Sequence, residues 1–374
     1  MSDDRKVRVL IVDDSAIMRQ LLADILRSSP HIEVAGYARN GLEAMEKTRD
    51  LRPDVITLDV EMPVMSGLEA LPGLVGIYHK PVVMVSSLTQ EGAETTLTAL
   101  EMGAVDFVPK PVANQISSMR SVADEIVAKI LQAGKSQVQI SSAVSKPVPA
   151  HPQVSEKKAP EAFLSQVAEA PAKPPRESSK SEKPPKNIVL IGISTGGPQA
   201  LSETIPLIRP PVPPILIVQH MPSKFTGAFA DRLNRKSSLE VREAVTGDRL
   251  KNDTVLIAPG GKHLRIAGKS PLTARIEVTD DPPISGHKPS VDCLFESALP
   301  VFGESITAII MTGMGRDGVR GLLAIRAAGG ATFGQDEATS TVYGMNKAAW
   351  LEGAVETQFP LTKLPGIVAK SWRG

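Results

Sequence analysis

Residues 7–25 read VRVLIVDDSAIMRQLLADI, and the order of residue types along this stretch decides the fold. The run Val7–Val12 is apolar apart from Arg8, the pattern of a strand buried on both faces of a sheet. Asp13 and Asp14 end that run, and Ser15 is placed to cap a following helix. Ile17, Leu21 and Ile25 then recur at i, i+4 and i+8, which predicts a helix with these three side chains on its apolar face. A buried strand, an acidic turn and a capped helix make one βα unit.

The unit repeats outward from there. Ile32–Ala38, Val55–Leu58, Val82–Val85 and Val105–Val108 are further apolar runs, separated by helical patterns. Five strands joined by helices predict a parallel sheet with right-handed crossovers, in the flavodoxin-like order. The alternation resumes with Ile188–Ile193, Ile215–Val218, Thr254–Ile257 and Ile306–Met311, with helices starting near Pro198 and covering Leu322–Ala328. A second doubly wound α/β domain with a mainly parallel sheet is expected. Residues 255–290 carry more turn signals and predict a short antiparallel extension.

Between the two alternating regions, residues 135–186 hold nine prolines, nine serines, no glycine and one aromatic, Phe163. Such a segment buries too little apolar surface to offset its ordering entropy, so it reads as a flexible, locally stiffened linker. The expected division is therefore 1–134, 135–186 and 187–374. Phe163, Leu164 and Val167 allow one short amphipathic turn within the linker.

Charge is distributed unevenly. Residues 1–134 carry 13 basic and 19 acidic side chains, residues 135–186 carry 9 and 5, and residues 187–374 carry 20 and 17. An acidic first domain beside two mildly basic segments permits intramolecular attraction but leaves no nucleic-acid footprint. Aromatic residues are 3% of the chain, too few for base-stacking surfaces. The single cysteine, Cys293, excludes an intrachain disulfide, fits a reducing compartment and reads as a packed core thiol. The opening MSDDRKVRVL lacks the apolar stretch of a signal peptide, and no run is long enough to span a membrane. A cytoplasmic protein is expected, with no membrane insertion.

Chemistry-bearing residues fall at the C-terminal ends of the predicted strands, where ligands bind in open α/β sheets. Asp13 and Asp14 follow the first strand, Asp59 the third and Lys110 the fifth. Clustered carboxylates with one ammonium suit a hard divalent ion and a phosphoryl group, with Asp59 as nucleophile. Taken singly, the acids also read as helix-start residues and Lys110 as a solvated charge. In the second domain, Gly192, Ser194 and Gly196 fit G-x-S-x-G in a strand–turn–helix passage. Alone, this turn is also a helix cap or a phosphate cradle. His220 ends the strand of ILIVQHMP, and Asp317 lies in the loop of IIMTGMGRDGVRG. His220 alone also reads as a half-buried strand-end imidazole, and Asp317 as an N-cap. Together they offer nucleophile, base and orienter on one sheet rim. The chain order Ser…His…Asp differs from that of the α/β-hydrolases. His263 and His287 compete for the base role but lie in glycine-containing turn regions.

With Ser86 closing the fourth strand, residues 5–130 resemble the response-regulator receiver family. The resemblance implies phosphorylation at Asp59 and a Mg²⁺ site made by Asp13, Asp14, Asp59 and the backbone carbonyl of Glu61. It also implies switch roles for Ser86 and Phe107 and a phosphate contact for Lys110. GISTGG, QHMP, IAPGGKH, HKPSVD and MTGMGRDG resemble the motifs of chemotaxis protein-glutamate methylesterases. That resemblance implies a Ser194–His220–Asp317 triad needing no cofactor for the esterase step, with oxyanion donors near Met314 and Thr195. It implies methylated chemoreceptors as substrates, receptor glutamine deamidation as a companion activity, and a chemotaxis histidine kinase as phosphoryl donor. The unphosphorylated receiver is expected to lie over the active site. Two other readings are a response regulator with a non-catalytic nucleotide-binding output domain, built on Gly192–Gly197, and a DNA-binding regulator. The latter requires a basic recognition helix that residues 187–374 do not contain.

Overall fold

The computed structural model describes residues 5–87, 89–111, 116–134 and 184–372. The expected linker, apart from its last three residues, lies outside them, as does the turn around Phe163–Val167.

The N-terminal unit alternates β1 (Val7–Val12), α1 (Ala16–Arg27), β2 (Ile32–Ala38), α2 (Gly41–Leu51) and β3 (Val55–Asp59). It continues with α3 (Gly67–Gly76), β4 (Val82–Ser86), α4 (Gln90–Glu101), β5 (Asp106–Pro109) and α5 (Ile116–Ala133). The five strands are parallel in the order β2-β1-β3-β4-β5, the flavodoxin-like winding expected from sequence. Ser15 caps α1, its hydroxyl accepting from Met18 N–H at 3.3 Å. The face of α1 is not the expected one. Ile17 is 82% exposed, and the helix instead buries Leu22, Ala23 and Leu26 with Met18 and Ile25 beside them. Two stripes at helical spacing compete in AIMRQLLADILR, offset by one residue or about 100° of rotation. The sheet selects the richer one, which covers Val9 and Ile11.

The C-terminal unit begins with β6 (Ile188–Ile193), α6 (Gly197–Thr204), β7 (Ile215–Gln219) and α7 (Ser223–Lys236). Next come β8 (Glu240–Glu243), β9 (Thr254–Ile257), β10 (His263–Ala267), β11 (Arg275–Thr279) and α8 (Val291–Phe302). The chain ends with β12 (Ile306–Ile310), α9 (Val319–Ala327), β13 (Ala331–Gln335), α10 (Met345–Leu351), β14 (Thr357–Phe359) and α11 (Leu364–Lys370). Seven parallel strands form one sheet in the order β14-β13-β12-β6-β7-β9-β8. β10 and β11 pair antiparallel as the expected extension. Strands β8, β13 and β14 escape the sequence pattern because EVRE, ATFGQ and TQF contain no apolar run.

This winding fixes where a site can form. The chain starts centrally at β6, moves through β7 to β9 and β8 on one side, then returns to build β12, β13 and β14 on the other. The strand order reverses between β6 and β12, so their C-terminal ends open onto a crevice. Gly192 belongs to β6 itself rather than to the turn after it. A Cβ there would lie 2.3 Å from Val291 Cγ1, so the glycine lets α8 pack directly on the strand. Gly196 is the residue that turns, with φ 78°.

The two units meet through α4, β5 and α7. The Phe107 ring lies 4.4 Å from that of Phe225. Glu101 accepts from Arg232 Nε at 2.8 Å and from Lys236 Nζ at 2.7 Å. Thr195 Oγ1 donates to Asp106 Oδ2 at 2.5 Å.

Phe295 is fully buried in α8, against Gly321 of α9. Phe295→Ala should destabilise the C-terminal unit by about 3–5 kcal/mol. Both tryptophans, Trp350 and Trp372, lie in that unit, so the denaturant midpoint of their fluorescence reads the loss directly.

Candidate active site

Ser194 occupies the turn between β6 and α6, at the crevice. Its N–H donates to Thr312 O at 2.9 Å, and its carbonyl accepts from Gly197 N–H at 2.8 Å, which closes the turn. His220 follows β7 directly, its N–H bonded to Ile193 O at 3.1 Å. The two residues therefore stand at neighbouring strand ends. Asp317 lies on the loop after β12 and comes within 2.9 Å of His220 Nε2 through Oδ2.

The Asp317 carboxylate is buried and held by the start of α8. Oδ2 accepts from Val291 N–H at 2.7 Å, while Oδ1 accepts from Ser290 Oγ at 2.8 Å and from Asp292 N–H at 3.1 Å. Burial alone would raise its pKa. The His220 contact and the two α8 amides outweigh that and hold it down at about 2. An ionised carboxylate only accepts, so Nε2 of His220 must carry the proton it shares. The other nitrogen, Nδ1, is buried and makes no hydrogen bond.

Ser194, His220 and Met314 line one cavity of about 680 Å³. Among the described residues, Ser194 Oγ makes no hydrogen bond, so the contact to His220 Nδ1 is open here. Catalytic hydrogen bonds are commonly loose before substrate arrives. The backbone N–H groups of Thr195 and Met314, both beside the cavity, likewise have no partner among the described residues. Val122, Glu125 and Lys129 of α5 supply another wall of this cavity. Lys129 is anchored by Asp106 Oδ1 at 3.1 Å and Phe107 O at 2.7 Å.

The remaining histidines divide. His287 stacks on His220 with ring centroids 4.1 Å apart and planes 6° from parallel. Burial first, then the neighbouring His220, pushes its pKa down to about 4, so it stays neutral at ordinary pH. His263 opens β10 rather than sitting in a turn. It is buried, accepts from Ser290 N–H through Nδ1 at 3.2 Å and contacts Pro282 O through Nε2 at 3.1 Å. Ser290 caps α8 and binds Asp317, a part the sequence reading did not assign. A serine just before an apolar helical run was the available signal. Cys293 is buried in α8, and burial pushes its thiol up to about 11, the state of a packed side chain.

In the N-terminal unit, Asp13, Asp14 and Asp59 bring carboxylate oxygens within 4.8 Å of one another. Lys110 Nζ sits 2.7 Å from Asp59 Oδ2 and 3.3 Å from Asp13 Oδ2. Asp13 Oδ2 is buried with the Lys110 ammonium as its ion-pair partner, and an all-oxygen donor set of this kind fits Mg²⁺. Burial pushes Asp59 up to about 6, against the pull of the Lys110 hydrogen bond. Glu61 lies two residues beyond Asp59 with its side chain exposed. Ser86 ends β4, its hydroxyl accepting from Thr96 Oγ1 at 2.7 Å. Phe107 is buried against Phe225, in contact with the other unit.

Asp317 is depressed from 3.8 to about 2, so its stabilising contribution is complete above the unfolded-chain value and is lost as pH falls through about 2. Asp317→Asn should lower the urea midpoint of tryptophan fluorescence near neutrality. Its deficit relative to the parent should shrink between about pH 4 and pH 2, where the parent carboxylate itself takes up a proton.

Among the described residues, no helix is long and apolar enough to cross a membrane. The family model described as CheB methylesterase matches residues 189–368, and that described as response regulator receiver domain matches residues 9–119. A protein-glutamate methylesterase/protein-glutamine glutaminase of Pyrococcus horikoshii is 41% identical over 378 residues, covering 98% of this chain and 94% of its own. Relatives of the same description from Symbiobacterium thermophilum and Xanthomonas campestris pv. campestris are 40% identical (99% of each chain) and 43% identical (97% of each chain). Among solved structures, the Thermotoga maritima CheB methylesterase catalytic domain is 36% identical, with a TM-score of 0.48 over 49% of this chain and 97% of that one. Matched along nearly its whole length by such relatives, the chain belongs to the protein-glutamate methylesterase/protein-glutamine glutaminase family.

Proposed function

We propose that this chain is a phosphorylation-activated serine esterase that hydrolyses glutamate methyl esters on the cytoplasmic domains of chemoreceptors. Residues 1–134 act as receiver, 135–186 as linker and 187–374 as catalytic domain. The observation that carries the reading is the His220–Asp317 contact at 2.9 Å, which leaves Nδ1 as a proton acceptor in the cavity that Ser194 lines.

Ser194 Oγ loses its proton to His220 Nδ1 as it attacks the ester carbonyl. Asp317 steadies the imidazolium that results, its charge supported by the α8 amides. N–H groups of Thr195 and Met314 receive the developing oxyanion. The C–O bond to the methoxy group breaks, and His220 returns the proton so that methanol leaves. Water, deprotonated by the same nitrogen, adds to the acyl carbonyl; the C–O bond to Ser194 Oγ breaks, His220 returns the proton to Ser194, and the glutamate is freed. With a glutamine side chain ammonia leaves instead, which gives the glutaminase activity.

Control acts through the receiver. Asp59 accepts the phosphoryl group from a chemotaxis histidine kinase. Asp13, Asp14 and Asp59, with the Glu61 carbonyl, would hold Mg²⁺, which when bound neutralises charge between carboxylates and phosphoryl oxygens. Lys110 contacts the phosphoryl group, and Ser86 and Phe107 carry the change to the interface. The wall that α5 contributes to the cavity supports steric inhibition in the unphosphorylated state. Two states with different affinity for the catalytic domain are required. The reducing compartment implied by a lone buried thiol supports a cytoplasmic setting.

Ser194→Ala should cut methanol release from methylated receptor membranes by roughly 10⁴- to 10⁶-fold. Asp59 should still take phosphate from a small phosphodonor with Mg²⁺. Near-parental release would remove Ser194 from the chemistry. Arg232→Glu, which sets two carboxylates against each other across the α4–α7 contact, should raise the activity of the unphosphorylated chain several-fold. A fragment starting near residue 187 should behave likewise, and an unchanged basal rate in both would argue against occlusion.

A further inference from the structure

We infer that Gln219 is a positioning residue that sets the spacing between the nucleophile's turn and the general base; this role rests on the Ser194–His220–Asp317 reading above. Gln219 is the last residue of β7 and pairs in register with Ile193, the residue before Ser194. Its side chain is buried, at 2% exposure. The amide nitrogen donates to Ser194 O at 3.0 Å and to His220 O at 3.1 Å. A primary amide has two N–H donors, and here one goes to the backbone of each reacting residue.

The orientation follows from chemistry. Turned over, Oε1 would face two carbonyl oxygens with no proton between them. As it stands, Oε1 points at the first residue of α6, where a Cβ on Gly197 would lie 2.0 Å from it. That oxygen makes no hydrogen bond. An apolar side chain of similar volume would avoid a buried orphan oxygen, yet would leave the His220 and Ser194 carbonyls without this shared donor. The side chain therefore acts as a short strut, with α6 behind it and both reacting residues in front. The β6–β7 ladder ends at the bond from His220 N–H to Ile193 O, and the strut adds a side-chain tie beyond that end, directly between Ser194 and His220. A misplacement on the order of 1 Å between nucleophile and base lowers rate by up to about 10²-fold.

The test uses the full-length chain, activated with a small phosphodonor and Mg²⁺, as parent, Gln219→Met and Gln219→Glu. Methanol release from methylated receptor membranes gives kcat and KM. Labelling with a serine-directed fluorophosphonate counts competent sites, so any misfolded fraction is removed from the comparison. The expected result is a kcat per labelled site lower by roughly 10- to 100-fold with KM within about twofold of the parent. Gln219→Glu should be the slower variant, because it turns a carboxylate oxygen toward two carbonyls. A per-site kcat within about twofold of the parent, whatever the change in Tm, would show that Gln219 serves folding alone. A raised KM at unchanged kcat would move its role to substrate binding and equally overturn the inference. Ser194→Ala, run alongside, separates the two levels: if it keeps releasing methanol, the triad falls and the strut with it. If it is inactive while the Gln219 variants keep their per-site rate, only the strut falls.

Discussion

The charge on Asp317 is the constraint around which the catalytic unit is arranged. A carboxylate removed from water is unfavourable unless donors surround it. Here those donors are the first amides of α8, the Ser290 hydroxyl and His220 Nε2. Each makes its own demand on the fold. The amides require α8 to start beside the loop after β12, which in turn requires Gly192 to admit Val291 against β6. Ser290 is steadied by the buried His263 at the start of β10, so even the antiparallel extension contributes. His220 meets Asp317 through Nε2, which leaves Nδ1 on the opposite side of the ring from the carboxylate.

The sheet's winding supplies the rest of the geometry. Because the chain enters at β6 and builds outward in both directions, the loops after β6, β7 and β12 open onto one crevice. Residues nearly a hundred positions apart, His220 and Asp317, come into contact without either leaving its local role as a strand-end or loop residue. The same logic operates in the N-terminal unit, where Asp13 and Lys110 follow β1 and β5 and Asp59 ends β3. Both sites are products of parallel strands that deliver their C-terminal ends to one edge.

What the sequence disclosed follows from what a one-dimensional pattern can encode. Apolar runs marked β1 to β7, β9 and β12 within a residue or two, most sharply where a strand is buried on both faces, as in β3, β4 and β6, and less so at the partly buried edge strand β2. Short strands such as Glu240–Glu243 carried no such mark; their pairing comes from neighbours distant in sequence. The apolar face of α1 was misjudged because two stripes satisfied the same periodicity, and only contact with β1 chooses between them. Among polar residues, those at strand ends were legible. His287, which stacks on the imidazole of His220, and Ser290, which caps α8, were not assigned, since both matter through partners that no spacing rule connects. Which imidazole nitrogen faces Asp317 was likewise beyond any motif.

The wall that α5 lends to the cavity makes exclusion mutual. On the proposed occlusion, a macromolecule entering that space competes with Val122, Glu125 and Lys129 for the cleft, so occupancy and retention of the receiver oppose each other. Linkage then runs in both directions. If phosphate on the receiver eases entry of a methylated substrate, then a high local density of that substrate favours the released receiver in equal measure. On that proposal, substrate density would act as an input to the enzyme as well as its target.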